Sequence, residues 1–249
     1  MTSEIPNIDP VLATPAPVTP PSKSSGVPKW ETVARDRITN GIRRVSKPIE
    51  ALKARDAVEA DTRMLVTDVL CDLLGYDKYD DLTAEYQVKG EFADYGIRVD
   101  KQLVAFVEVK RVSQKLNATH LRQVENYALK NGVNWAILTN AQQWQVYHVQ
   151  ALTGELSELT LVLDVDLLDT QSKLSEKIEK LFFISREAIQ KGRLDNFWKE
   201  KFATSSKSLK PILLSDPVID QVRKELWKIS KQKVDNADLR ISIEAMLVD

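Results

Sequence analysis

Trp135, Ala136, Ile137 and Leu138 form an unbroken apolar run, too short for a helix of ordinary length and without the polar alternation of a half-buried strand. A strand of this kind has to be covered on both faces, so the chain needs helices above and below a sheet. A helical pattern stands directly before the run. Asn117 is placed to cap it, Ala118, Leu121, Val124, Ala128 and Leu129 share one face, and Gly132 closes it. Upstream, residues 95–99 and 103–109 are strand-like and flank Asp100, Lys101 and Gln102, which read as a hairpin turn. Downstream, residues 143–149 form another strand, and Leu159, Leu161 and Leu163 alternate through one more. The order helix, strands, helix, strand, strand predicts an α/β fold with a mixed central sheet flanked by helices.

The flanking segments divide the chain into three. Residues 1–28 are rich in proline, serine and threonine, with no basic start and apolar core of a secretory leader, and read as a disordered tail. Residues 29–169 hold the α/β pattern. It begins with a helical segment from Trp30 to about residue 51, with a break expected at Pro48. Arg35, Arg37, Arg43, Arg44 and Lys47 on that segment read as a solvated face in preference to a nucleic-acid patch. A second helix follows, with Asp56 as cap, Glu59 completing a capping box, Val58, Leu65, Val66, Val69, Leu70, Leu73 and Leu74 inward, and Gly75 at its end. Residues 170–249 are a helical extension. One helical stretch is expected over 172–202, a linker over 203–210, and a helix from Asp216 and Pro217 with Val218, Val222, Leu226 and Ile229 inward. A last short helix is capped by Asp235, and Trp198 and Trp227 read as core residues at helical spacing.

Several classes are disfavoured. The formal net charge is -1, so any binding of nucleic acid must come from local patches and not from the overall field. The eight glycines make neither G-x-x-x-x-G-K-[ST] nor G-x-G-x-x-G, so no ATP site is expected. His120 and His148 lack partners at zinc-ligand spacing. The single cysteine, Cys71, reads as a small buried hydrophobe, and a cytoplasmic location fits. No apolar run approaches the roughly 20 residues of a membrane span.

Against this apolar background three polar residues stand out. Glu108 and Lys110 lie two apart on a strand and therefore point to the same face. Asp94 lies on the other arm of the hairpin, where pairing would bring it beside Glu108. Two neighbouring carboxylates repel unless a cation sits between them, and oxygen ligands suit Mg²⁺ or Mn²⁺. Such an ion activates water and steadies charge growing on a phosphate, and Lys110 can assist either task. The competing reading is an exposed strand face with a Glu–Lys pair. Glu59, at the start of the second helix, fits either the capping box or this site. Gln123 and Tyr127, four apart on the next helix, share a face that is either part of the site or a polar rim.

Taken in order, these pieces resemble a known family. They are Glu59, Asp61 and Arg63; Gly75, Tyr76 and Asp77; Asp94 and Tyr95; Glu108, Val109 and Lys110; Gln123 and Tyr127; then Thr139 and Asn140 with Trp144 and Tyr147. The stretch 57–147 resembles the N-terminal nuclease domain of type I restriction enzyme R subunits, a branch of the PD-(D/E)XK nucleases. Tyr76 stands where that family usually has Trp, and Ala141 where it has Gly. The resemblance implies a restriction-endonuclease-like fold and a Mg²⁺-dependent (or Mn²⁺-dependent) endonuclease of restriction-modification type, hydrolysing DNA. It implies Asp94 and Glu108 as metal ligands, Glu59 as the helix acid completing the metal site, and Lys110 as the catalytic lysine. Gln123 and Tyr127 would support the site. The family's R subunits continue into an ATP-driven translocase, and a stand-alone form is expected here. DNA is the expected partner, with a protein partner or homodimer through the C-terminal helices, and no membrane. The alternative is a non-catalytic module that keeps the fold and binds nucleic acid or docks a partner.

Overall fold

A computed structural model describes residues 26–88, 91–152 and 157–247, so most of the proline-rich segment lies outside the described residues. Six strands form one sheet whose spatial order is the chain order. They are β1 (Leu82–Val88), β2 (Glu91–Val99), β3 (Gln102–Val109), β4 (Trp135–Thr139), β5 (Gln143–Ala151) and β6 (Ser157–Asp166). β3 and β4 run parallel, with α3 (Ala118–Asn131) as the crossover between them, and the other neighbours are antiparallel. The expected architecture is therefore the observed one: a mixed sheet between helices. Every residue of β4 is buried.

Strand alternation sends side chains into two cores. Phe106 and Ala136 face α3 and pack with its Val124, Tyr127 and Ala128. Val107, Trp135 and Ile137 face the other way. There they meet α1 (Lys29–Ala54), α2 (Glu59–Asp68) and a π-helical turn that continues α2 over Val69–Leu73. The same core takes in Leu181 and Phe182 of α4 (Leu174–Phe183), Ala188 of α5 (Arg186–Gln190) and Leu194 of α6 (Arg193–Ala203).

Local chemistry explains the placement of α3. The Asn117 side chain accepts from the N–H groups of Thr119 and His120, and Gly132 closes the helix at φ 65°. Asn117→Ala should cost about 1 kcal/mol, read as a shift in the denaturant midpoint. An unshifted midpoint would count against the cap. The hairpin between β2 and β3 turns on two residues, Asp100 and Lys101, both at positive φ, the mirror-image turn whose twist matches antiparallel strands.

Several expectations are corrected. α1 runs unbroken through Pro48, because the buried face of Ile38, Ile42, Val45 and Ile49 spans the one backbone bond that proline removes. The capping box is absent: Val58 precedes α2, exposed and without a side-chain cap. The Asp56 carboxylate turns instead to the Ser113 hydroxyl at 2.5 Å and Arg111 at 3.2 Å. Strand β1 was not anticipated. The stretch 172–202 is three helices, not one, since Ser185 caps α5 through the Ala188 N–H and Gly192 takes φ 64° before α6. The supposed linker is mostly helix, α7 (Ser206–Leu213), capped by Ser205.

α8 (Asp216–Ser230) and α9 (Asn236–Met246) start where expected, with Asp235 capping the latter. Their inward faces differ from expectation. Ile229 is 85% exposed and Trp227 half exposed, because α7, α8 and α9 bury only Ile219 and Leu239 among the described residues. Trp198, by contrast, stacks on His148 with ring centroids 4.5 Å apart. Among the described residues no helix is long and apolar enough to cross a membrane.

Candidate active site

The site lies where β2 and β3 part. Their pairing runs from Val99 opposite Gln102 to Tyr95 opposite Val107. At the next position a side chain replaces the backbone: Asp94 Oδ2 accepts the Val109 N–H at 2.7 Å. β3 meanwhile stays paired with β4 through Val109 opposite Thr139, and the Lys110 N–H donates to the Thr139 carbonyl at 2.8 Å. The fork thus sets Asp94 near Glu108 and Lys110 by a side-chain bond to β3, where the hairpin pattern had expected strand pairing.

Glu108 shares the face of Phe106 and looks toward α3. Lys110 Nζ donates to Glu108 Oε1 at 2.6 Å and reaches Gln123 Oε1 at 3.4 Å. Gln123 Nε2 donates to the Tyr127 hydroxyl at 3.1 Å, which donates to the Phe92 carbonyl at 2.9 Å. One chain of bonds therefore links the strand acid, the lysine, α3 and the start of β2. Gln123 and Tyr127 are joined to the site and are not a detached rim.

The electrostatics follow from burial. Glu108 is only 3% exposed, and desolvation pushes its carboxyl pKa up to about 7 in spite of Lys110, with the charges of Asp94 and Glu59 adding to the rise. Burial works against a charged Lys110, but its bond to Glu108 and the nearby carboxylates of Glu108, Glu59 and Asp94 lift its pKa above the usual lysine value. Glu108 Oε2 is buried and bonded by no group among the described residues. An unused buried carboxylate oxygen is costly, and a cation offsets that cost. An unbonded carboxylate oxygen beside a second acid is donor chemistry of the kind that suits a hard divalent ion such as Mg²⁺ or Mn²⁺.

The three acids do not close on one another. Among the described residues no three acid, histidine or cysteine side chains gather closely enough to hold a metal. The physical reason is that each strand acid is held by a cation of the chain. Lys110 takes Glu108, and Arg63 Nη1 donates to Asp94 Oδ1 at 3.1 Å. Glu59, first residue of α2, contributes its charge to the shifts at Glu108 and Lys110.

Arg63 belongs to the matching pieces in the sequence, but sequence reasoning gave it no role at the site. It sits four residues after Glu59, one turn along the same helix face, and that spacing was its available signal. An ion held at Asp94 would compete with Arg63 for the carboxylate, so Arg63→Met should tighten any Mn²⁺ binding there, by up to about fivefold for this partly buried pair. Calorimetric titration reads this directly, and a weaker or unchanged affinity would sink it. His120, in the first turn of α3, adds no competing cation: burial and the charge of Lys110 both depress its pKa.

Residues 58–162 match the family model described as Type I restriction enzyme R protein N terminus (HSDR_N). The match covers under half of the chain, but it contains Glu59, Asp94, Glu108, Lys110, Gln123 and Tyr127. No curated protein and no solved structure matches.

Proposed function

We propose, from a segment 58–162 that matches the type I restriction enzyme R protein N terminus, that this protein is a divalent-metal-dependent nuclease hydrolysing DNA phosphodiester bonds. The observation that carries the reading is Glu108: a buried carboxylate, bonded on one oxygen to Lys110, unbonded on the other, and beside Asp94. Asp94 and Glu108 would hold Mg²⁺ or Mn²⁺, with Glu59 as the third acid. Bound there, the ion would lower the pKa of a water and offset charge on the phosphate.

The chain's own residues supply the rest. Lys110 is kept protonated by the surrounding acids, so its Nζ presents hydrogen-bond donors to a phosphate oxygen or to the attacking water. Gln123 holds that ammonium from the α3 side, and Tyr127 anchors Gln123 to the backbone of β2. Hydrolysis adds water across one P–O bond, leaving a phosphate on one strand end and a hydroxyl on the other.

Incubation of supercoiled plasmid with the protein, in Mg²⁺ and in EDTA, tests the reading. Nicking or linearisation in Mg²⁺ alone supports it. Cleavage that persists in EDTA, or none with Mg²⁺ or Mn²⁺, overturns it. One observation favours a second reading, a nucleic-acid-binding module without cleavage: the metal ligands do not gather into a cluster among the described residues. That module would bind DNA equally well with and without Mg²⁺.

A further inference from the structure

α8 and its connection to α9 enclose a cleft of ≈ 800 Å³, whose lining includes Arg223, Lys224, Trp227, Lys228 and Lys233. The two acids on its wall are engaged elsewhere. Glu225 pairs with Lys228 at 2.8 Å, and Asp235 accepts the Ala237 N–H at 2.7 Å to cap α9. Arg223 is matched by Asp220 at 3.4 Å. Lys233 has no acid partner among the described residues, and Lys224 makes no ion pair of its own there but shares the charge of Asp220 with Arg223, so the cleft keeps an excess of positive charge. Trp227 is 50% exposed at its edge. Lys231, which ends α8 in a left-handed conformation, sets its ammonium 4.8 Å from the indole centroid.

We propose that this cleft binds a single strand of nucleic acid, with a base stacked on Trp227 and phosphates at Lys224 and Lys233. A base offers a flat π-face to the indole, and the flanking phosphates supply the charge that the lysines lack. A duplex keeps its base faces stacked inside and has none to offer. Val234 is the one aliphatic side chain of the lining, and the exposed Ile229, Ile241 and Met246 lie outside the cleft, so the lysines and the indole decide the occupant. The site is separate from the fork at Asp94 and stands whether or not that fork cleaves.

Fluorescence anisotropy of a labelled oligo(dT) strand with the full chain in EDTA tests the proposal. EDTA keeps cleavage out of the measurement. Trp227→Ala should weaken binding about tenfold, and Trp227→Phe, which keeps a stacking ring, by less than about threefold. Lys224→Glu combined with Lys233→Glu should weaken it more than about tenfold and reduce the slope of log affinity against log salt by about 1.4, two phosphates' worth. All three positions are exposed, so the thermal unfolding of each variant should match wild type. Failure of the wild type to bind oligo(dT) overturns the proposal. So does binding that none of the variants changes, or duplex binding that Trp227→Ala weakens as much as it weakens the single strand. A wild type that binds here but does not cut plasmid in Mg²⁺ overturns the nuclease reading alone.

Discussion

Lys110→Ala should reduce Mg²⁺-dependent DNA cleavage by about 10³-fold or more, close to 4 kcal/mol of transition-state stabilisation, while leaving the protein folded. The lysine is placed for that loss. Among the described residues it is the one cation bonded to Glu108, and its side chain is only 13% exposed, so its charge acts with little screening by water. Its removal would take away the donor proposed to face the reacting phosphate and would leave Glu108 buried without its counter-charge. Asp94→Ala should cost as much activity for a different reason, the loss of the proposed metal ligand, and should also cost stability. It strips the acceptor from the Val109 N–H and the partner from Arg63, a penalty of about 1–3 kcal/mol. Asp94→Asn separates the two effects, since an amide oxygen still accepts from Val109 but carries no charge for the ion. Cleavage by Lys110→Ala within about tenfold of wild type would remove the lysine from the chemistry.

What could be read in the sequence is what depends on short periods. Glu108 and Lys110 share a face because strand side chains alternate, and Gln123 bonds Tyr127 because residues four apart on a helix are neighbours. Asn117 and Gly132 bound α3 by local side-chain and φ requirements alone. What could not be read depends on where segments separate or meet over long distances. Asp94 is held by Val109 and Arg63 because β2 leaves β3 at that residue, and no local pattern marks the point of departure. Asp56 had the spacing of a cap, but Arg111 and Ser113 offered its carboxylate better partners from another part of the chain. Ala141, where a glycine was the family's usual residue, still adopts φ 69° and keeps the turn, its N–H bonded to Thr139 Oγ1 at 3.0 Å. Trp227 has helical spacing like any core residue, and its exposure follows from α7–α9 having so little core to join.

Glu108→Gln should abolish cleavage and yet make the protein more stable than wild type at alkaline pH. The sign follows from the raised pKa. In the folded state Glu108 keeps its proton up to about pH 7, whereas the unperturbed carboxyl loses it near 4.5. The stability contributed by the protonated, buried acid is therefore fully present below pH 4.5 and is lost as pH rises through about 7. At pH 8 that loss approaches roughly 3 kcal/mol. A glutamine of the same shape never ionises, so its denaturation midpoint should hold between pH 5 and pH 8 with respect to this position while wild type declines. Lys110 loses its charged partner in the variant, but at pH 5 wild-type Glu108 is largely protonated too, so the difference between the two pH values isolates Glu108. Mn²⁺ affinity should move the opposite way in wild type, falling up to about tenfold per pH unit below 7 as protons compete for the carboxylate, and should be largely lost in Glu108→Gln. A variant no more stable than wild type at pH 8 than at pH 5 would mean that burial does not govern this acid. The predicted pattern is that of a carboxylate held where the fold alone is better served by a neutral group, with a bound cation as the compensation.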